Sequence, residues 1–328
     1  MSKKPNTKNN VDRYDDTISQ YTTASNETSN GDDCICGDQM CPSACLRGLD
    51  TCDISALIDS IVPGKSAEDE RTGPVPSVAP GIGAHAEGCA TQALGNCSHA
   101  EGAATRAIGK ASHAEGLATK AIGIASHAEG DPTTAYGYAS HAEGINTYAG
   151  SSGSHSEGLN TSATGVAAHS EGVGTTGSGN YSHAEGQFTK ATQTAAHSEG
   201  LNTQATSTAS HAEGNHTTAS GVGSHSEGVG TSDIKTLINN FVPGNGNLDN
   251  RTGIIQTQAT QIASHAEGYA TVAGGTGTHS EGIATRATIS GAHAEGIATQ
   301  SNGMASHAEG ISTIASGTSS HAEGQNTV

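Results

Sequence analysis

The sequence predicts an all-β chain wound into a narrow β-solenoid, and three observations carry that reading. Histidines recur every 14 residues, a fixed His-[Ala/Ser]-Glu-Gly-x-x-Thr unit surrounds each one, and large apolar residues are too scarce for an ordinary core. The histidine series runs from His85 to His225 and again from His265 to His321, and only His216 of the 17 histidines falls outside it. That makes sixteen copies of the unit. With 45 glycines, two phenylalanines, no tryptophan and 33 % hydrophobic residues in 328, composition alone would suit a disordered chain. A strict period rejects disorder from residue 85 onward, because repetition at fixed spacing is the mark of stacked supersecondary units.

Taken in order, residues 1–52 read as a polar, disordered arm ending in a cluster of Cys34, Cys36, Cys41, Cys45 and Cys52. Residues 53–84 form a first insert, in which Ile54, Leu57, Ile58 and Ile61 follow the i, i+3, i+4, i+7 spacing of a helix face. Residues 85–232 hold eleven coils. Residues 233–258 form a second insert, with Ile234, Leu237, Ile238 and Phe241 at the same helical spacing. Asp53 caps the first helix and Ser232 or Asp233 the second, and a Pro-Gly pair stops each. Residues 259–328 hold the last five coils. The two inserts, Arg71-Thr72-Gly73 with Arg251-Thr252-Gly253, and His85 with His265 all match at an offset of 180, so the chain is a duplicated module.

Fourteen residues accommodate two strands of about five joined by two tight turns, stacked at ~4.8 Å into a rod of roughly 75 Å. The glycine after each Glu, and those ten residues after His (Gly95, Gly109, Gly123, Gly137), suit turns that need positive φ. Strand alternation places Ser98, Ala100 and Gly102 on one face and His99 and Glu101 on the other. The small residues then fill the roll, and an apolar row (Leu117, Ile145, Leu159, Val173, Leu201, Val229, Ile283, Ile297, Ile311) adds to that interior. His and Glu face outward. A roll so poor in large apolar groups buries little surface alone. Association of copies is the expected remedy, with the His and Glu rows lining a shared axis. The ladder residues are His99, Glu101, His113, Glu115, His127, Glu129, His141, Glu143, His265, Glu267, His307 and Glu309.

The net charge of −18, half of its acids being the repeat glutamates, argues against nucleic-acid or anionic-membrane partners. No run of 18 apolar residues spans a membrane, and the opening lacks an apolar secretory stretch. The expected route is synthesis in the cytoplasm and release by lysis or another non-Sec path. Sixteen identical constellations do not resemble a single active site, and no phosphate-cradling Gly-x-x-x-x-Gly-Lys loop or His-Glu-x-x-His occurs, so the chain is expected not to be an enzyme. A His/Glu ladder is not a closed metal cage, so no metal or other cofactor is expected; a multivalent metal array is the alternative. The invariant Thr reads as an internal rung, with an ice-binding row as the alternative. The cysteines suit cross-linking between particles; intramolecular disulfides, metal binding or free thiols are the other readings.

The unit Ser-His-Ala-Glu-Gly-x-x-Thr-x-Ala-x-Gly resembles the head repeats of trimeric autotransporter adhesins of the YadA type, over about 85–232 and 259–328. His and Glu stand where that family places Val and Ile. The resemblance implies a left-handed parallel β-roll assembled as a homotrimer. The chain looks closer still to the His-Ala-Glu-Gly repeat proteins of spore-forming Gram-positive bacteria and their phages. No heptad stalk, membrane-barrel anchor or self-cleaving peptidase segment is expected to accompany the repeats. Three helices from three chains would close an apolar cluster between rod segments; packing on the chain's own first coil is the alternative. An uncapped last coil beside a Cys-rich start predicts head-to-tail stacking. The expected function is therefore structural self-assembly into a spore-associated fibre, layer or crystalline array, cross-linked through the N-terminal cysteines; an adhesin or phage-fibre module is the alternative, and a multivalent metal-binding array the second.

Overall fold

A computed structural model describes residues 34–36, 39–41, 52–53 and 74–328, with side chains from residue 76 onward. The chain is nearly all β: a parallel β-solenoid of about 17 turns with one short helix among the described residues. Cys45, Ile54, Leu57, Ile58 and Ile61 lie outside the described residues, as do the side chains of Cys34, Cys36, Cys41 and Cys52.

Each unit pairs in register with the next, as in His85↔His99, Glu87↔Glu101 and Gly88↔Gly102. The two strands of a coil are unequal, five residues over His99–Ala103 and two over Arg106–Ala107. Twice they merge into nine-residue strands, His127–Ala135 and His141–Ala149. The interior is built of methyl-sized groups. Ala93, Ala100, Ala107, Ala114, Ala121, Ala128, Ala135, Ala142 and Ala149 form one fully buried column. The repeat threonines are buried beside them, Thr105, Thr119 and Thr175 at 0 % exposure, so the Thr row is an internal rung. Serine closes the turn before most motif histidines, with Ser98 Oγ donating to the Gly95 carbonyl at 2.6 Å and Ser112 Oγ to Gly109 at 2.7 Å.

Two features differ from the sequence expectation. The motif glycines do take positive φ, as at Gly102 (104°). Gly95, Gly109, Gly123 and Gly137 do not; they are required because a Cβ there would lie about 2 Å from a backbone oxygen of the next coil. The left-handed turn positions are held mostly by alanine instead, such as Ala104 (φ 60°) and Ala111 (φ 54°). Each costs about 1–2 kcal/mol of backbone strain. That cost is offset by inter-coil bonds such as Ala104 N–H to Cys89 C=O (2.8 Å) and Ala111 N–H to Asn96 C=O (2.9 Å).

The second correction concerns the apolar row. Leu117, Ile145, Leu159, Val173, Leu201, Val229, Ile283, Ile297 and Ile311 are half-buried, not interior. They lie two residues beyond Glu and so keep its parity on the outer face.

The second insert does not interrupt the stack. His225 pairs with His265 and Thr217 with Thr257, while an antiparallel bridge between Thr231 and Ile255 pinches the insert off as a loop. Within it α1 (Ile234–Phe241) starts at Asp233, whose side chain accepts from Thr236 N–H at 2.9 Å. Ile234 and Ile238 bury against Ala270, Ala284, Ala298 and Ile255, with Leu237, Ile283 and Ile297 packed alongside. The helix thus sits on its own chain, over one stretch of the outer apolar row, and Phe241 stays 56 % exposed outside that cluster. Arg251 locks the insert down, donating to Asp249 Oδ2 at 2.7 Å and to the Ala270 carbonyl at 2.8 Å.

Candidate functional site: the outer His/Glu ladder

Because the repeat pairs in register, every motif His lies over the next. Successive imidazole centroids are 4.5–5.0 Å apart along the whole stack, including the step across the insert from His225 to His265 at 4.8 Å. His99, His113, His127, His141, His265 and His307 all belong to this column, and Glu101, Glu115, Glu129, Glu143, Glu267 and Glu309 run beside it. Thirteen of the sixteen motif carboxylates lie within 4.0 Å of the imidazole two residues back on their own strand. The Nε2–Oε2 separations run from 3.2 Å at His211–Glu213 to 3.9 Å at His99–Glu101. Both side chains remain partly open; His169 is 31 % and Glu171 47 % exposed.

Stacking imidazoles at this spacing disfavours the charged form. Burial first, and the neighbouring histidines second, hold His127, His155 and His197 below the ordinary histidine value, against the opposing pull of their glutamates. At these three positions the neutral ring is favoured. Nε2 atoms of ten ladder histidines, among them His113, His127, His155, His265, His279, His293 and His307, are buried without a hydrogen-bond partner.

The ladder is not uniform. From His265 to His307 the rings are nearly parallel, with interplanar angles of 1°, 3° and 6°, whereas from His127 to His169 they tilt by 34–41°. In the parallel stretch His265/Glu267/His279, His279/Glu281/His293 and His293/Glu295/His307 each bring three ligand-type atoms within 4.8 Å of one another.

Sequence reasoning missed two sets of residues. Asp131 occupies a step of the outer apolar row between Leu117 and Ile145, and burial pushes its carboxyl up to about 6. The second set explains why the motif allows Ala or Ser after His. Four of the five serines that follow a motif His pair with the Thr hydroxyl of their own coil: Ser156–Thr161, Ser170–Thr175 and Ser280–Thr285 at 2.8 Å, and Ser198–Thr203 at 2.7 Å. The signal was present as a two-letter alternation at one position. Among the cysteines with described side chains, Cys89 is disulfide-bonded and Cys97 is an exposed free thiol.

No helix among the described residues is long and apolar enough to cross a membrane. No protein-family model matches the chain, and no curated protein matches it.

Proposed function

We propose that this protein is a structural, non-enzymatic building block whose outer wall joins copies of itself. The reading makes the chain a left-handed β-roll of 14-residue coils that associates as a homotrimer. Trimers then stack into a fibre, layer or crystalline array, cross-linked through Cys34, Cys36, Cys41, Cys45 and Cys52, on a spore surface or outside the cell after lysis.

The observation that carries it is the composition of the outer face. The same imidazole and carboxylate recur on every coil, with an apolar row beside them, and all stay half-exposed on one chain. Such a face is self-complementary, because one copy's carboxylates can meet another's imidazoles, and its apolar row gains by being covered. The methyl-sized interior supports the same reading, since it offers the isolated roll little burial of large side chains.

Light scattering should give three times the 32.6 kDa chain mass. Negative-stain images should show extended assemblies that shorten in reductant. A monomer mass, with separate short rods in both conditions, would refute the proposal. A trimer that never extends but captures a glycan or another protein would favour the adhesin or phage-fibre alternative.

A further inference from the structure

We infer that the ladder between His265 and His307 is a divalent transition-metal site, holding two ions per chain. Three observations meet in this stretch, although unpartnered Nε2 atoms also occur elsewhere on the ladder and a lone group of the same kind stands at His211, Glu213 and His225. Three overlapping His–Glu–His groups place their ligand atoms within 4.8 Å. Neighbouring imidazole planes differ by only 1°, 3° and 6° across the four rings, so each coil presents its imidazole in nearly the same plane as the next. The Nε2 atoms of His265, His279, His293 and His307 are buried and make no hydrogen bond, although a carboxylate stands within 4 Å of His265, His279 and His307. Polar atoms so placed ordinarily have a partner.

The donor set indicates which ions fit. Two imidazoles and one carboxylate suit borderline cations such as Zn²⁺, which binds His nitrogen at about 2.0–2.1 Å and carboxylate oxygen at about 2.0–2.2 Å. Ca²⁺ and Mg²⁺ require shells of oxygen and are not served. Ligands on one tetrahedral ion lie roughly 3.3 Å apart, so the group must contract by at most about 1.5 Å, its rings tilting until their lone pairs meet at the ion. Partly open side chains allow that movement: His279 is 37 % and Glu281 39 % exposed. Three protein ligands leave a fourth position for water.

Stoichiometry follows from sharing. His279 and His293 each belong to two groups, so simultaneous occupation without a shared ring uses His265/Glu267/His279 and His293/Glu295/His307. The site draws every ligand from one chain and so does not rest on the trimer proposed above.

Zinc binding to the full, untagged chain, followed by equilibrium dialysis, tests the inference. Glu267→Gln with Glu295→Gln should remove two ions per chain, while Glu157→Gln with Glu171→Gln, where no such group converges, should remove none. A second readout needs no variant. Zinc should protect His265, His279, His293 and His307 from diethylpyrocarbonate while leaving His141, His155 and His169 reactive. An unchanged stoichiometry in the first variant, an equal loss in both, or protection spread evenly along the ladder would each overturn it.

Discussion

One substitution, made at two equivalent positions, should have opposite effects. Thr119 and Thr175 occupy the same place in their coils, both at 0 % exposure. Thr119 Oγ1 is buried with no partner, because the residue after its motif His is Ala114. Thr175 Oγ1 is bonded to Ser170 Oγ at 2.8 Å. Valine keeps the shape and deletes the hydroxyl. At 119 it removes an unpaired buried polar group, so Thr119→Val should stabilise the chain by about 1 kcal/mol. At 175 it strands the Ser170 hydroxyl in a dry interior, at a cost of about 1–3 kcal/mol. The two results should therefore differ by roughly 2–4 kcal/mol for identical chemistry. Urea unfolding followed by circular dichroism, at unchanged denaturant slope, provides the comparison. Ser170→Ala combined with Thr175→Val should recover most of the loss, because it removes both partners together. Equal effects at 119 and 175, or a double variant no better than Thr175→Val, would refute the pairing argument.

Other outcomes follow from the same geometry. A Cβ on Gly158 would lie 2.2 Å from the Gly172 carbonyl oxygen at φ +109°, whereas one on Gly153 meets nothing nearer than 4.0 Å at φ +64°. Gly158→Ala should cost about 2–5 kcal/mol and Gly153→Ala about 1 kcal/mol, read from the same unfolding curves. His127, His155 and His197 are held below the ordinary value of 6.5, so the unfolded chain binds more protons than the folded one in that range. Stability should then be steady from pH 8 to about 7 and fall as pH drops below about 6.5; a melting temperature that climbs toward pH 5 would contradict this. Asp131, pushed up to about 6, acts in the opposite sense. Asp131→Leu should stabilise by about 1 kcal/mol at pH 8, after allowing for solvent screening at a partly exposed site, and change little at pH 5, as thermal melts at the two values would show.

The period and the strand alternation made most of the wall legible. Ala100 and Thr105 are inside and His99 and Glu101 outside, as parity at two-residue spacing requires. The Asp233 cap and the start of α1 were readable for the same local reason. Apolar character misled where it competed with parity, since Leu117 and Ile145 share the outward phase of the glutamates before them. Glycines ten residues after His looked like turn residues because glycine serves two ends: positive φ, and close approach of a neighbouring backbone. Only stacked coordinates separate those uses, and at Gly109 it is the approach that matters. Alanine in left-handed turns was invisible, because nothing in a single coil reveals the inter-coil bonds that offset its strain. The packing of Ile234 and Ile238 on their own chain depends on which coils lie below the insert, a long-range fact that local spacing does not contain.

The pinch between Thr231 and Ile255 has a consequence for how such a chain can vary. Its two crossing bonds, 2.8 and 2.7 Å, bring the departing and returning backbone together at a single point on the wall. Whatever lies between them is an appendage: the coils on either side stack as though it were not there. Rod length and surface ornament are therefore independent variables. Adding a repeat away from the insert lengthens the scaffold without touching the appendage. Exchanging residues 232–254 redecorates it and leaves only the patch under α1, at Ala270, Ala284, Ala298, Ile283 and Ile297, to be covered again. The mouth at 231 and 255 is thus a ready socket for foreign cargo, displayed at a fixed height along the rod.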